Sequence, residues 1–195
     1  QTKALLCSLE KGQLPPETAP LSAGGLAAHG DSALLKALEQ PGPRPWRRPL
    51  ADALAAHFGR LRDGDYATIL AYVEPNEDNR RALEALAAQV RRMTCAPVLL
   101  EFGPRYLHST GQLYKGGPNS GLFLQLVEED SATLPVPGEP FTFGTLLRAQ
   151  ARGDCSAMLQ AGRRVLRLEL GPKGNKPLQA LVNAAAAAAA QKCPS

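Results

Sequence analysis

YATILAYV, Tyr66–Val73, decides how this chain is read. It is a continuous apolar run of strand-forming residues without polar alternation, the pattern of a strand covered on both faces. Around it, helical and strand patterns take turns. Leu50 to Arg62 has helical spacing through Leu50, Leu54, His57, Phe58 and Leu61, and closes at Asp63-Gly64-Asp65. Asp78 to Met93 reads as a helix with Leu83, Leu86 and Val90 on one face and arginines on the other. Ala96 to Phe102, Gly121 to Val127 and Arg164 to Leu170 read as further strands, and Thr142 to Gln160 as a helix broken at Gly153-Asp154. Strands alternating with helices over short connections imply an α/β fold. The expected core is a mostly parallel sheet of about four or five strands with helices on both faces.

Outside this block the signals weaken. TKALLCSLEKGQLP suggests a short amphipathic helix, and residues 13–30, rich in Pro, Gly, Ala and Ser, suggest a linker or surface loop. A second short helix around Asp31 to Glu39 stops at PGPRPWRRP. The expected organisation is therefore 1–48 as N-terminal helices and linker, 49–171 as the α/β domain, and 172–195 as an alanine-rich helix or tail. The seven consecutive alanines of that tail favour helix through low side-chain entropy but offer no packing specificity, so a surface helix is expected.

Composition excludes several classes. Of 195 residues 44% are apolar, enough to build a core, and only 5% are aromatic. The net charge of +4 comes from scattered basic residues, unlike the basic face with aromatic platforms of a nucleic-acid binder, and an anionic small molecule suits it equally. Cys7, Cys95, Cys155 and Cys193 are far apart and form no CxxC pair, so neither a cysteine metal site nor a disulfide framework is expected. Reduced thiols imply a cytoplasmic protein. No apolar run reaches the ~18–20 residues that span a membrane, and the apolar N-terminal stretch is too short for a signal peptide. The chain starts at Gln1 without an initiator Met and reads as a fragment or a processed product.

RYLHSTGQLYKGGPNSG, Arg105–Gly121, directly follows the second strand of the block. In open parallel sheets ligands bind outside the carboxyl ends of the strands, so the motif is expected at a ligand-binding edge. If Tyr106 to Lys115 is one helix, His108, Gln112 and Lys115 share a face at i, i+4 and i+7, while Leu107 and Leu113 turn to the core. A histidine can exchange a proton near neutral pH, a glutamine can donate and accept, and a lysine can hold an anion. Gly116-Gly117-Pro118-Asn119 reads as a helix cap and turn whose amides could also meet a phosphate, though no Walker loop is present. A solvated helix face ending in a polar turn explains the same residues. Elsewhere, His57 reads as a packed histidine on an apolar helix face, His29 as a loop residue without a role, and Asp154 as a helix N-cap.

YLHSTGQLYKGGPNSG, followed by FLQL and by PVPGEPFTFGTL, resembles the C-terminal part of bacterial bifunctional transaldolase/glucose-6-phosphate isomerase proteins. The resemblance extends back through GDYATILAYV and forward to RRVLRLEL. It implies a three-layer sandwich of the sugar-isomerase type, and interconversion of glucose 6-phosphate and fructose 6-phosphate through a cis-enediol, without metal or cofactor. It assigns ring-opening assistance to His108 with Gln112 beside it; with that reaction, Arg105, Ser109, Lys115, Gly116 and Gly117 are the expected phosphosugar-binding residues. Two departures stand out. Tyr114 occupies a position where such proteins commonly carry a second histidine, and the ExxGK-type and FDQP-type segments are absent. An upstream segment of the same polypeptide is thus the implied partner, and the isolated chain is expected to be catalytically incomplete. Glu74, at the end of the first strong strand, is the local candidate base, and Glu101 lies just before the motif; strand capping or solvent exposure explains either. The alternative function is a non-catalytic phosphosugar-binding, interdomain or oligomerisation domain of the same ancestry.

Overall fold

The computed structural model describes residues 14–41, 45–129, 134–172 and 175–192. One sheet organises them. The central apolar run forms β4 (Tyr66–Tyr72), flanked by β5 (Val98–Phe102) and β6 (Gly121–Glu129), with β7 (Arg164–Pro172) beyond β6. All three pairings among these four strands are parallel. Alternate residues of β4 explain why the run is apolar throughout. Ala67, Ile69 and Ala71 join one core cluster, while Leu70 and Tyr72 join another on the opposite face.

The first face is covered by three helices: α2 (Leu50–Phe58), α3 (Glu77–Thr94) and α6 (Asn175–Lys192). The opposite face is covered by α5 (Phe143–Gln160) together with a 3₁₀ turn (Arg105–His108) and α4 (Thr110–Gly116), which supply Tyr106 and Tyr114. Asn76 and Thr142 start α3 and α5, each accepting a backbone N–H three residues on. Helices on both faces and a mostly parallel sheet agree with the sequence pattern.

The sheet is larger than the four or five strands expected, because seven strands take part in the order β3-β1-β2-β7-β6-β4-β5. The extra strands are β1 (Leu21–Ala23), β2 (Leu26–Gly30) and β3 (Trp46–Arg48), so the stretch read as linker carries sheet structure and the sheet runs across the boundary drawn at Pro49. β2 joins β7 antiparallel, β1 joins β2 antiparallel, and β3 joins β1 parallel. These strands are short and mixed in composition, so they lack the apolar runs that mark β4. The expected short helix appears as α1 (Ser32–Ala37), capped by Asp31. The helix expected over the first residues of the chain lies outside the described residues.

Two helices also differ from expectation. α5 is continuous through Gly153-Asp154. The alanine-rich α6 is no surface tail: Leu178, Leu181, Ala185 and Ala188 are buried, and it packs on α3 and α2. Small side chains let it approach these helices closely, which is a packing role that helix propensity does not reveal.

Behind the sheet, His57 is fully buried, as its apolar helix face suggests. Arg60 makes two bonds to Asp31, at 2.7 and 2.9 Å, and donates a third to His57 Nδ1 at 2.9 Å. Burial, reinforced by the Arg60 charge, pushes His57 down to about 3. The folded imidazole stays neutral while an unfolded one protonates below about 6.5. Stability conferred by the neutral ring is therefore full above that value and is lost as pH falls from 6.5 toward 3. Between pH 6.5 and 5 the loss is about 2 kcal/mol. Urea unfolding at the two pH values checks the loss, and the ring signals of His57 should not titrate above pH 5. Titration near 6.5 contradicts this assignment.

Candidate functional site

Chain order produces a crevice at the carboxyl end of the parallel strands. From β4 the chain goes through α3 outward to β5, whereas from β6 it goes through α5 in the other direction to β7. α3 and α5 lie on opposite faces, so the chain diverges between β4 and β6, the switch point at which such sheets take ligands. A crevice of about 320 Å³ opens there. The β4 end gives it Tyr72, Val73, Glu74 and Pro75, and the β6 end gives Val127 and Glu128. Gly103, Pro104 and Arg105 enter from the turn after β5, and Gly144, Leu147 and Arg148 from the first turns of α5.

Local sequence accounts for this shape. The Gly103–Pro104 peptide bond is cis. A Cβ at Gly103 would sit 2.6 Å from the Tyr72 ring, so only glycine lets the turn pass over that tyrosine. Glu74 N–H donates to Glu128 Oε2 at 3.1 Å, which ties the ends of β4 and β6 together across the opening. Phe143 N–H donates to Leu134 O at 3.0 Å, and the Thr142 hydroxyl accepts from Thr145 N–H at 3.1 Å, fixing the start of α5 beside it.

The motif after β5 is divided between the two ends of the sheet. The single helix expected over Tyr106 to Lys115 is broken at Ser109 (φ −128°, ψ −106°) into the 3₁₀ turn and α4. His108, Gln112 and Lys115 therefore do not share one helix face. Three residues per 3₁₀ turn stack Arg105 and His108 on one side, both exposed, with Arg105 in the crevice wall and His108 a turn beyond it. Ser109 and Gln112 are also exposed; Gln112 Nε2 reaches back to Leu107 O at 3.4 Å. Leu113, expected in the core, is 55% exposed, and Tyr114 takes the buried place instead.

Gly116 and Gly117 lie at the other end, just before β6, roughly 20 Å away by the length of a strand. Their turn is locked by protein. Gly117 N–H donates to Leu113 O at 2.8 Å, and Arg163 donates to the carbonyls of Lys115 and Gly117, each at 2.7 Å. Arg164 adds a bond to Asn119 O at 3.1 Å. The structure thus separates Gly116 and Gly117 from Arg105 and Glu74, and leaves this turn a structural one.

Lys115 turns inward. Its Nζ lies 2.7 Å from Asp154 Oδ1, and the Tyr106 hydroxyl donates to Asp154 Oδ2 at 2.7 Å. Asp154 is buried in mid-α5 and is not the N-cap expected from sequence. The Tyr72 and Tyr106 hydroxyls are 3.2 Å apart. Since the single Tyr106 proton goes to Asp154, Tyr72 supplies the proton of that contact. Burial, with Asp154 and Tyr72 alongside, pushes the Tyr106 phenol far up, so it remains a donor. At the edge, Glu101 Oε1 accepts from the Thr110 and Tyr114 hydroxyls, each at 3.1 Å, which commits Glu101 to holding α4.

Outside the crevice, His29 belongs to β2 and is buried, contrary to the loop expected. Its ring, Glu17 and Glu169 place three potential metal ligands within 4.8 Å. Arg167 pairs with both carboxylates, and Arg152 pairs with Glu17 at 3.1 Å, so the negative charge is already answered. Burial, reinforced by Arg167, lowers His29 to about 4. This environment disfavours a further cation. Of the two described cysteines Cys95 is exposed, whereas Cys155 is buried and pushed up to about 12, a packing thiol. No helix among the described residues is long and apolar enough to cross a membrane.

No model of a known protein family matches the chain, and no curated protein matches it. Among solved structures it is similar to a hypothetical protein, TT0462, of Thermus thermophilus, at 20% identity and a TM-score of 0.61 over 72% of this chain. The chain spans 38% of the length of that protein. The likeness supports the α/β fold and carries no activity with it.

The Asp154 network generates a stability test. Asp154→Ala strands the Lys115 ammonium and the Tyr106 hydroxyl, and should cost about 3–5 kcal/mol in denaturant unfolding. Asp154→Asn keeps an acceptor for Tyr106 and should cost less. A loss no greater than that of exposed Asp78→Ala contradicts the network's role.

Proposed function

We propose that the chain is the C-terminal portion of an aldose–ketose isomerase for glucose 6-phosphate and fructose 6-phosphate, completed by an upstream segment of the same polypeptide. The observation that supports it most is that Arg105, the residue just before the isomerase-like segment, lines the switch-point crevice together with Glu74. His108 stands one 3₁₀ turn from Arg105, exposed, where a proton can be exchanged with a ring oxygen.

The chemistry requires little else. Ring opening moves a proton from the anomeric hydroxyl and delivers one to the ring oxygen, the step in which His108 serves. A carboxylate then removes the C2 proton of the open aldose; the C–H electron pair forms the C1–C2 double bond, and the carbonyl oxygen takes up a proton. Returning the proton to C1 while the C2 hydroxyl loses its own gives the ketose. An arginine beside the enediolate stabilises its charge, the position that Arg105 would fill. The base is carried by the upstream segment, with Glu74 as the local alternative.

Lys115, Gly116 and Gly117 are withdrawn from substrate in this reading, since each serves the fold. That inward half of the motif also favours the second reading, a non-catalytic domain of the same ancestry. A coupled isomerase assay on the full-length polypeptide separates the two. His108→Ala should lower kcat/KM by about 10²- to 10⁴-fold, and the isolated chain should show almost no turnover. Glu74→Gln distinguishes a local base from an upstream one. Unchanged kcat/KM in His108→Ala removes the catalytic assignment.

A further inference from the structure

A guanidinium in the middle of a sheet is costly to desolvate, and β7 carries one: Arg167 is only 2% exposed. It lies two residues beyond Val165, on the face that α5 covers. Its register partners, His29 on β2 and Gln125 on β6, are also buried and polar. Glu169, on the same face of β7, supplies one carboxylate, with Oε1 3.1 Å from Arg167 Nε but no aligned hydrogen bond at that nitrogen. The second carboxylate comes from outside the sheet and its helices. Glu17 belongs to residues 14–19, which form neither helix nor strand and lead into β1. Its Oε2 accepts from Arg167, and Arg152 of α5 converges on the same oxygen at 3.1 Å.

This segment is a strap laid over the arginines. Among the described residues its polar attachments are the Glu17 carboxylate and the Pro15 carbonyl, which accepts from Arg152 at 2.6 Å. The Glu17 side chain is 36% exposed and Arg167 is buried beneath it, so Glu17 stands between that guanidinium and solvent. Two guanidiniums here face two carboxylates, and His29 is held neutral, so the charges balance. Arg148, the next arginine along α5, has its own carboxylate in Glu129. Taking Glu17 away therefore leaves one positive charge unanswered.

We infer that Arg152 and Arg167 form a carboxylate-binding site whose built-in occupant is the chain's own Glu17. The site takes a small external monocarboxylate only when Glu17 is withdrawn, so the strap acts as its latch. Guanidinium donors pair with carboxylate oxygens through charge-assisted bonds, and two of them meet here at one carboxylate. A monoanion matches the single charge that Glu17 answers, whereas a phosphate dianion exceeds it. The crevice residues take no part, and the inference stands independently of the isomerase reading.

Glu17→Ala in the 195-residue chain tests it, with sodium acetate as the probe and sodium chloride at equal ionic strength as the reference. The variant should melt below wild type, and acetate should restore about 2–4 °C of the loss in a saturable way. Wild type should gain much less, because its own carboxylate already fills the place. The Nε–Hε signal of Arg167 should shift in the variant and return toward its wild-type position as acetate is added. Inorganic phosphate should restore less than acetate, and adding Arg152→Gln to Glu17→Ala should abolish the acetate effect. Where Glu17→Ala folds poorly, recovery of folded chain on refolding in acetate but not in chloride reads the same binding. Absence of any acetate effect on the variant overturns the inference, as does an equal gain in wild type. Rescue that survives Arg152→Gln, or phosphate outdoing acetate, overturns it too.

Discussion

Asp154 accepts at once from the Tyr106 hydroxyl and the Lys115 ammonium, deep between α5 and the turn after β5. An aspartate carboxylate this far from water is tolerable only with such partners, and removing either leaves a buried charge or donor unsatisfied. The contact therefore fixes how α5 sits against the motif segment. The orientation of Arg105 and His108 follows from it, as does the separation between the two halves of the motif. The aspartate is close to the middle of a continuous helix, so its effect reaches both toward the crevice and toward the turn before β6.

The second constraint is topological. β4 and β6 lie side by side while their connections leave in opposite directions, and no helix among the described residues covers the gap between their carboxyl ends. The polar groups of the crevice come from the ends of β4 and β6, from the turn after β5 and from the first turns of α5. The opposite end of the sheet is closed by Arg163 and Arg164, whose bonds to the carbonyls of residues 115, 117 and 119 hold the glycine-rich turn. One end of the sheet is closed by its own hydrogen bonds and the other carries the open crevice.

The central sheet was legible because burial on both faces leaves a direct trace: Tyr66–Val73 has no polar alternation, and the helices around it keep their 3.6-residue periods. β1, β2 and β3 left no such trace, since LSA, LAAHG and WRR are too short and too mixed to show a period. The packing of α6 had a readable signal in Leu178, Leu181, Ala185 and Ala188, which the run of alanines masked. Within the motif, the position of Arg105 after a strand was readable from order alone. The inward turn of Lys115 was not, because its partner is 39 residues away on another element. Arg148 and Glu128 were missed for the same reason: each looks like an ordinary surface charge until the topology brings β4, β6 and α5 to one opening.

Only the front of the motif, with Arg105 in the crevice wall and His108 one turn on, lies at the open end of the sheet. Backbone amide spectra recorded during addition of glucose 6-phosphate test it most directly. Shifts are expected at Glu74, Arg105, His108, Glu128 and Gly144, with Lys115, Gly116, Gly117 and Asn119 unmoved. Shifts centred on the glycine-rich turn, with the crevice residues silent, would contradict it.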